Sequence, residues 1–205
     1  MRRTSAWIAI GAVWAAAAPA QAQTPAEGPR TQVIRAVERG AFVQATVGGS
    51  HAVGDGLDVG LGGVVAAHVG FDLGPVVNLA FGGTIITAGS GADRTAGGGD
   101  LLWLAPTMRL EVALLTTERL FFRVRGEGGY AFARPDRVDG RTYGDAGPIL
   151  GGAAVLEYFT QLRHFSIGVS AGALGILDSV APRGSPDERA SAVSIQLTPH
   201  VKYTF

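Results

Sequence analysis

The sequence has no cysteine, so it holds no disulfide and no cysteine-ligated metal, and it offers no thiol for a lipid anchor after the leader. It has no excess of either charge: Lys+Arg and Asp+Glu both number 17. A nucleic-acid partner needs a basic face and is therefore not expected. No uninterrupted apolar run reaches the ~20 residues that a membrane-spanning helix requires. Charged residues make up only 17% of the chain, while 31 glycines and 47% hydrophobic residues are present. That bias favours strands and turns over helices.

The N-terminus carries Arg2 and Arg3, an alanine-rich apolar stretch from Ala6 to Ala18, and the small-residue site Ala20-Gln21-Ala22. These are the three parts of a secretory signal peptide. The expected organisation is a signal peptide over 1–22, a periplasmic lead-in over 23–39 with helical character from Arg30 to Arg39, and one β domain over 40–205.

Within that domain the apolar residues recur at every second position, the period of a strand with two unlike faces. Leu57, Val59, Leu61, Gly63, Val65, Ala67, Val69 and Phe71 alternate with Asp58, Gly60, Gly62, Ala66, His68 and Asp72. Val77, Leu79, Phe81, Gly83 and Ile85 oppose Asn78, Ala80, Gly82 and Thr84, and Leu102, Leu104, Met108 and Leu110 oppose Trp103, Thr107, Arg109 and Glu111. The same pattern continues through 120–132, 150–158 and 165–171, and more weakly through 40–49. Connections near 73–75, 115–119 and 160–163 are short; those near 50–56, 88–99, 133–147 and 178–190 are longer and rich in Gly, Asp, Arg and Pro.

This is the grammar of an all-β, closed, up-and-down antiparallel transmembrane β-barrel of about eight strands, with the apolar set facing lipid. Short turns and termini are expected in the periplasm and long loops outside the cell, which places the protein in a cell outer membrane. Phe71, Phe122, Tyr158, Phe165, Tyr203 and Phe205 would then form an interfacial girdle. Pro106 and Pro199 fall inside strands, where bulges are expected because each removes a ladder donor.

Six charged residues have lumen parity: Arg109, Glu111, Arg123, Arg125, Glu127 and Glu157. A turn centred near Thr117 sets Glu111 opposite Arg123, with Glu157 at similar depth. They are read as a structural salt-bridge cluster filling a barrel only wide enough for side chains, in preference to an ion path. His51 is assigned to a loop and His68, His164 and His200 to strands at different depths, without convergent acidic partners, so neither a metal site nor a catalytic base is expected. Ser50 and Ser90 lack a nucleophile-elbow setting, and Gly97-Gly98-Gly99 precedes no phosphate-binding helix. No enzyme and no cofactor are expected.

The final residues end on Val201, Tyr203 and Phe205, apolar at alternate positions with a terminal aromatic. The pattern resembles the assembly signal of outer-membrane barrels, which implies the barrel-assembly machinery and outer-membrane lipid as partners. The segment Val155-Leu156-Glu157-Tyr158-Phe159-Thr160-Gln161-Leu162-Arg163-His164-Phe165-Ser166-Ile167-Gly168 resembles the sixth-to-seventh hairpin of the adventurous gliding motility protein CglE family of myxobacteria. Further similarity lies at Val37-Glu38-Arg39-Gly40, Gly70-Phe71-Asp72-Leu73-Gly74 and Thr198 to Phe205. The resemblance implies an outer-membrane barrel used in surface motility, with surface or motility proteins as partners and no catalytic residues to carry over. Two function classes follow: a surface structural or interaction protein, and a narrow channel or carrier for a small or apolar solute. A barrel lipase is a distant third.

Overall fold

The computed structural model describes residues 40–54, 61–89, 101–134, 137–138, 141–142, 147–162, 164–180 and 190–205. The signal peptide and lead-in expected over 1–39 lie outside the described residues. Among the described residues there are ten strands: β1 (Ala41–Gly54), β2 (Leu61–Leu73), β3 (Val77–Ala88), β4 (Leu101–Thr116), β5 (Leu120–Arg134), β6 (Arg137–Val138), β7 (Arg141–Thr142), β8 (Gly147–Phe159), β9 (Phe165–Val180) and β10 (Ala190–Thr204). Eight of them close into one barrel in the order β1-β10-β9-β8-β5-β4-β3-β2, every pair antiparallel; β6 and β7 form a separate two-stranded ribbon.

The period-two pattern decides which way each side chain points. In β4, Leu101, Trp103, Ala105, Thr107, Arg109, Glu111 and Ala113 are buried in the lumen, while Leu104, Met108 and Leu110 are exposed on the outer surface. The outer face carries Val69 at 59% exposure, Leu114 at 62% and Leu150 at 68%, among many others. Soluble proteins rarely tolerate a continuous apolar surface of this extent, whereas hydrocarbon covers it at no cost.

Short connections at one end are built by their own residues. Gly74, at φ 84°, takes the left-handed conformation that the β2–β3 turn needs. At the β4–β5 turn, Thr117 N–H donates to Leu120 O at 2.8 Å and Leu120 N–H donates to Thr117 Oγ1 at 2.9 Å. At the β8–β9 turn, Thr160 N–H donates to Phe165 O at 3.0 Å.

The expected bulges at Pro106 and Pro199 are absent. Pairing of β4 with β5 runs Leu104↔Phe132 and then Thr107↔Gly129 in unchanged register, and β3 stays paired through Gly83↔Pro106. Likewise β10 keeps Pro199↔Val169 with β9, and its register with β1 is the same at Gly49↔Leu197 as at Thr46↔His200. In an antiparallel strand each residue hydrogen-bonds towards one neighbour only, so a proline interrupts one ladder for two residues and leaves the other intact. The register shifts instead at Ala113/Leu115 and at Ala190/Ala192.

The lumen is narrow, and inward glycines accommodate its bulkier side chains. A Cβ on Gly168 would stand 2.5 Å from His200 Nε2, and one on Gly82 would stand 2.8 Å from His68 Cδ2.

The barrel lumen as candidate functional site

All six charged residues with lumen parity point inward and are buried, and they are joined by a fourth pair that parity also allowed, Asp72 and Lys202. Four cations thus meet four anions inside the barrel. Burying a charge is costly unless an opposite charge is paired with it.

Nearest the short turns, Lys202 Nζ lies 3.1 Å from Asp72 Oδ1 and 4.0 Å from the centre of the Phe42 ring. This contact reaches from β10 across β1 to β2, bracing the pair of strands that closes the barrel. Arg123 Nε contacts Glu157 Oε2 at 2.9 Å, and Ser166 Oγ donates to the other carboxylate oxygen at 2.6 Å. The Arg123 guanidinium also sits 5.1 Å over the Phe121 ring, which packs edge-on against Phe159 at 5.0 Å.

The next level holds Arg125, whose Nε contacts Glu111 Oε1 at 2.7 Å and whose Nη1 reaches Ser170 Oγ at 3.4 Å. Arg109 grips Glu127 in a fork, Nε to Oε2 at 2.9 Å and Nη2 to Oε1 at 3.2 Å. Thr84 Oγ1 donates to Glu127 Oε1 at 3.2 Å, and Thr107 Oγ1 is 2.8 Å from His68 Nε2. Fork-to-fork geometry fixes both groups in one plane and strengthens each bond.

Glu111 therefore does not face Arg123. It pairs with Arg125, opposite it in the register, while Arg123 faces Ala113 across the hairpin and reaches Glu157 on its other side. The turn centre lies beyond Thr117, and the irregularity at Ala113/Leu115 restores the parity that the tighter turn alone would have broken.

Towards the long loops the lumen changes character. Val64, Ile86, Leu101, Trp103, Ile149, Leu174 and Ile176 are buried there with Ala52, Ala88, Ala105, Ala131, Ala133 and Ala192 as one apolar cluster. Trp103 pairs with Ile86 on β3 and Ala133 on β5, and Ile149 pairs with Ile176. This apolar collar escaped sequence reading. Its signal was a loss of alternation, as in Leu101-Leu102-Trp103-Leu104-Ala105, where both faces of the strand are apolar. Trp103 is completely buried, and among the described residues its Nε1 has no hydrogen-bond partner.

Between the collar and the ion pairs lies a cavity of about 20 Å³, lined by Thr46, Val64, Arg109, Arg125, Ser170 and Leu174 among others. That is room for about one water molecule.

The histidines do not converge. His51 lies in β1, not in a loop, and is exposed on the outer face; His164 precedes β9 in the turn, its Nδ1 3.1 Å from Thr204 O. His68 and His200 face the lumen from β2 and β10. Among the described residues no three His, Asp or Glu side chains gather as a metal site would require. Val201, Tyr203 and Phe205 face outward, with Tyr203 stacked on His164 at 5.8 Å and edge-on to Phe205 at 5.1 Å.

No known protein family matches the chain, and no curated protein does. Among solved structures, the chain is similar to neisserial surface protein A (NspA), with a TM-score of 0.56 and 12% identity over 80% of this chain and 97% of that one. Two further structures align with lower TM-scores. OprG of Pseudomonas aeruginosa scores 0.43 at 12% identity, over 82% of this chain and 98% of its own. Ail, the attachment invasion locus protein of Yersinia pestis, scores 0.41 at 12% identity, over 81% of this chain and all of its own (100%). The likeness to the neisserial protein is one of fold: an eight-stranded closed barrel.

Proposed function

We propose that this chain is a non-enzymatic outer-membrane barrel that works as a surface scaffold or contact protein, and that it does not conduct solutes. The observation that carries this reading is the doubly filled lumen. Four ion pairs occupy the half near the short turns and an apolar collar occupies the half near the long loops, with a cavity of about 20 Å³ between them. An apolar constriction is itself a barrier to ions, because water does not wet it. With the interior closed, the long loops are the segments left to meet a partner.

The outer-membrane location is supported by the apolar outer surface and by the fold shared with NspA. Assembly by the outer-membrane insertion machinery is supported by Val201, Tyr203 and Phe205, and deleting Phe205 should deplete the heat-modifiable folded form from the outer membrane. Gliding motility as the process served rests on the resemblance of the 155–168 hairpin. The competing reading, a narrow channel or carrier, would need an open path past the collar and the ion pairs.

The test pairs two measurements. Purified barrel in planar bilayers should show no sustained conductance, and cells in which the long loops are individually replaced by short turns should lose surface motility or adhesion. Sustained, selective conductance together with normal motility in loop-replaced cells would overturn the scaffold and promote the channel.

A further inference from the structure

The outer face is not uniformly covered by large side chains. Where β1 and β10 close the barrel, one row of residues runs Phe81–Val69–Val43–Tyr203–Phe165 across five strands in register. The adjacent row is Gly83–Ala67–Ala45–Val201. Small side chains beside aromatic ones leave a groove of about 400 Å³, and its lining is almost wholly apolar. Ala45 and Ala67 sit directly opposite each other in its floor, and Phe81, Phe165 and Tyr203 stand at its walls.

The groove is preformed. Tyr203 is held between His164, stacked at 5.8 Å, and Phe205, edge-on at 5.1 Å, so this wall does not collapse onto the alanines. It is also continuous with the lipid-facing belt, and lies beside the aromatic residues near the short turns. That places its mouth at the level of a headgroup and its body at the level of the tails.

We infer that this groove seats one acyl chain of a phospholipid from the leaflet on the short-turn side, held longer than the surrounding lipid. Apolar surface alone gives no preference between the groove and bulk hydrocarbon. What distinguishes the site is the number of close atom contacts that a concave, rigid apolar wall makes with a chain. Only membrane residence is needed for this inference, so it stands or falls separately from the scaffold role.

The full chain, reconstituted in dioleoyl-phosphatidylcholine nanodiscs and re-extracted in mild detergent, is examined by native mass spectrometry. Wild type should retain one phospholipid per barrel. Ala45→Leu fills the floor and displaces roughly ten atom contacts, for about a tenfold drop in lipid-bound fraction. Ala154→Leu, an equally lipid-exposed change on β8, should leave retention unchanged. Heat-modifiable migration checks that each variant is folded, and if Ala45→Leu does not fold, Ala67→Val makes the same test with a smaller intrusion. No retained lipid on wild type, or equal retention in the folded groove-filled variant, overturns the inference. A two-barrel species lost on filling the groove also overturns it, by making a second copy the occupant.

Discussion

Arg125 Nε stands 2.7 Å from Glu111 Oε1, and the two residues face each other directly across the β4–β5 hairpin. The neighbouring Arg123 is thereby released to the opposite side, where Glu157 on β8 receives it at 2.9 Å. One irregularity at Leu114 thus distributes two arginines of one strand between carboxylates on two different neighbours. The charges tie three strands together.

Breaking one of these pairs should cost more than removing it whole. Glu157 is 2% exposed and holds both Arg123 and Ser166. Glu157→Leu should destabilise the barrel by ~3–5 kcal/mol, because Arg123 is left charged and buried without a carboxylate. Arg123→Met combined with Glu157→Leu should recover most of that loss. Urea unfolding midpoints in detergent or lipid read the difference, and a double variant no better than the single would contradict the account.

Trp103 fills the collar, and among the described residues nothing accepts from its indole N–H. Trp103→Phe should therefore cost little, under about 1.5 kcal/mol, since the lost volume is offset by removal of an unsatisfied donor. Trp103→Ala should cost ~3–5 kcal/mol through the cavity it opens. Equal losses for the two variants in the same unfolding assay would mean that the indole nitrogen is bonded after all.

At Gly168 a side chain meets both His200 Nε2 at 2.5 Å and the Leu156 carbonyl oxygen at 2.6 Å. Gly168→Val should reduce the folded, heat-modifiable fraction, with a cost of about 1–3 kcal/mol from overpacking. Adding His200→Ala should give partial relief only, because the clash with the β8 backbone persists. Full recovery would show that the ring alone sets the limit.

Orientation is read by labelling single cysteines in a chain that has none of its own. Positions Ala92, Asp139 and Arg183 should react with an impermeant reagent on intact cells, and Thr117 should react only after the outer membrane is opened. The reverse result would turn the barrel over.

The strands and their facing were legible because a lipid-facing surface and a narrow lumen impose opposite demands on successive residues. Gly74 and Pro75 marked their turn for the same local reason. Pairing partners were harder, since the placement of one turn residue and the shift at Ala113/Leu115 decide whether Glu111 meets Arg123 or Arg125. No local pattern encodes that shift. The collar was hidden because alternation disappears where lumen and exterior are both apolar, as at Ile85-Ile86 and Leu101 to Ala105. Lys202 was overlooked between Val201 and Tyr203, the residues that mark the terminal strand, although its parity placed it inside with Asp72.

The placement of Trp103 also makes the barrel its own reporter. The only other tryptophans are Trp7 and Trp14, so in a barrel made from residues 23–205 emission comes from a single indole. Sealed among Ile86, Leu101 and Ile176, that indole should emit at short wavelength and resist aqueous quenchers such as iodide. Its spectrum would then follow the sealing of the loop-side interior in real time, separately from strand formation followed by circular dichroism.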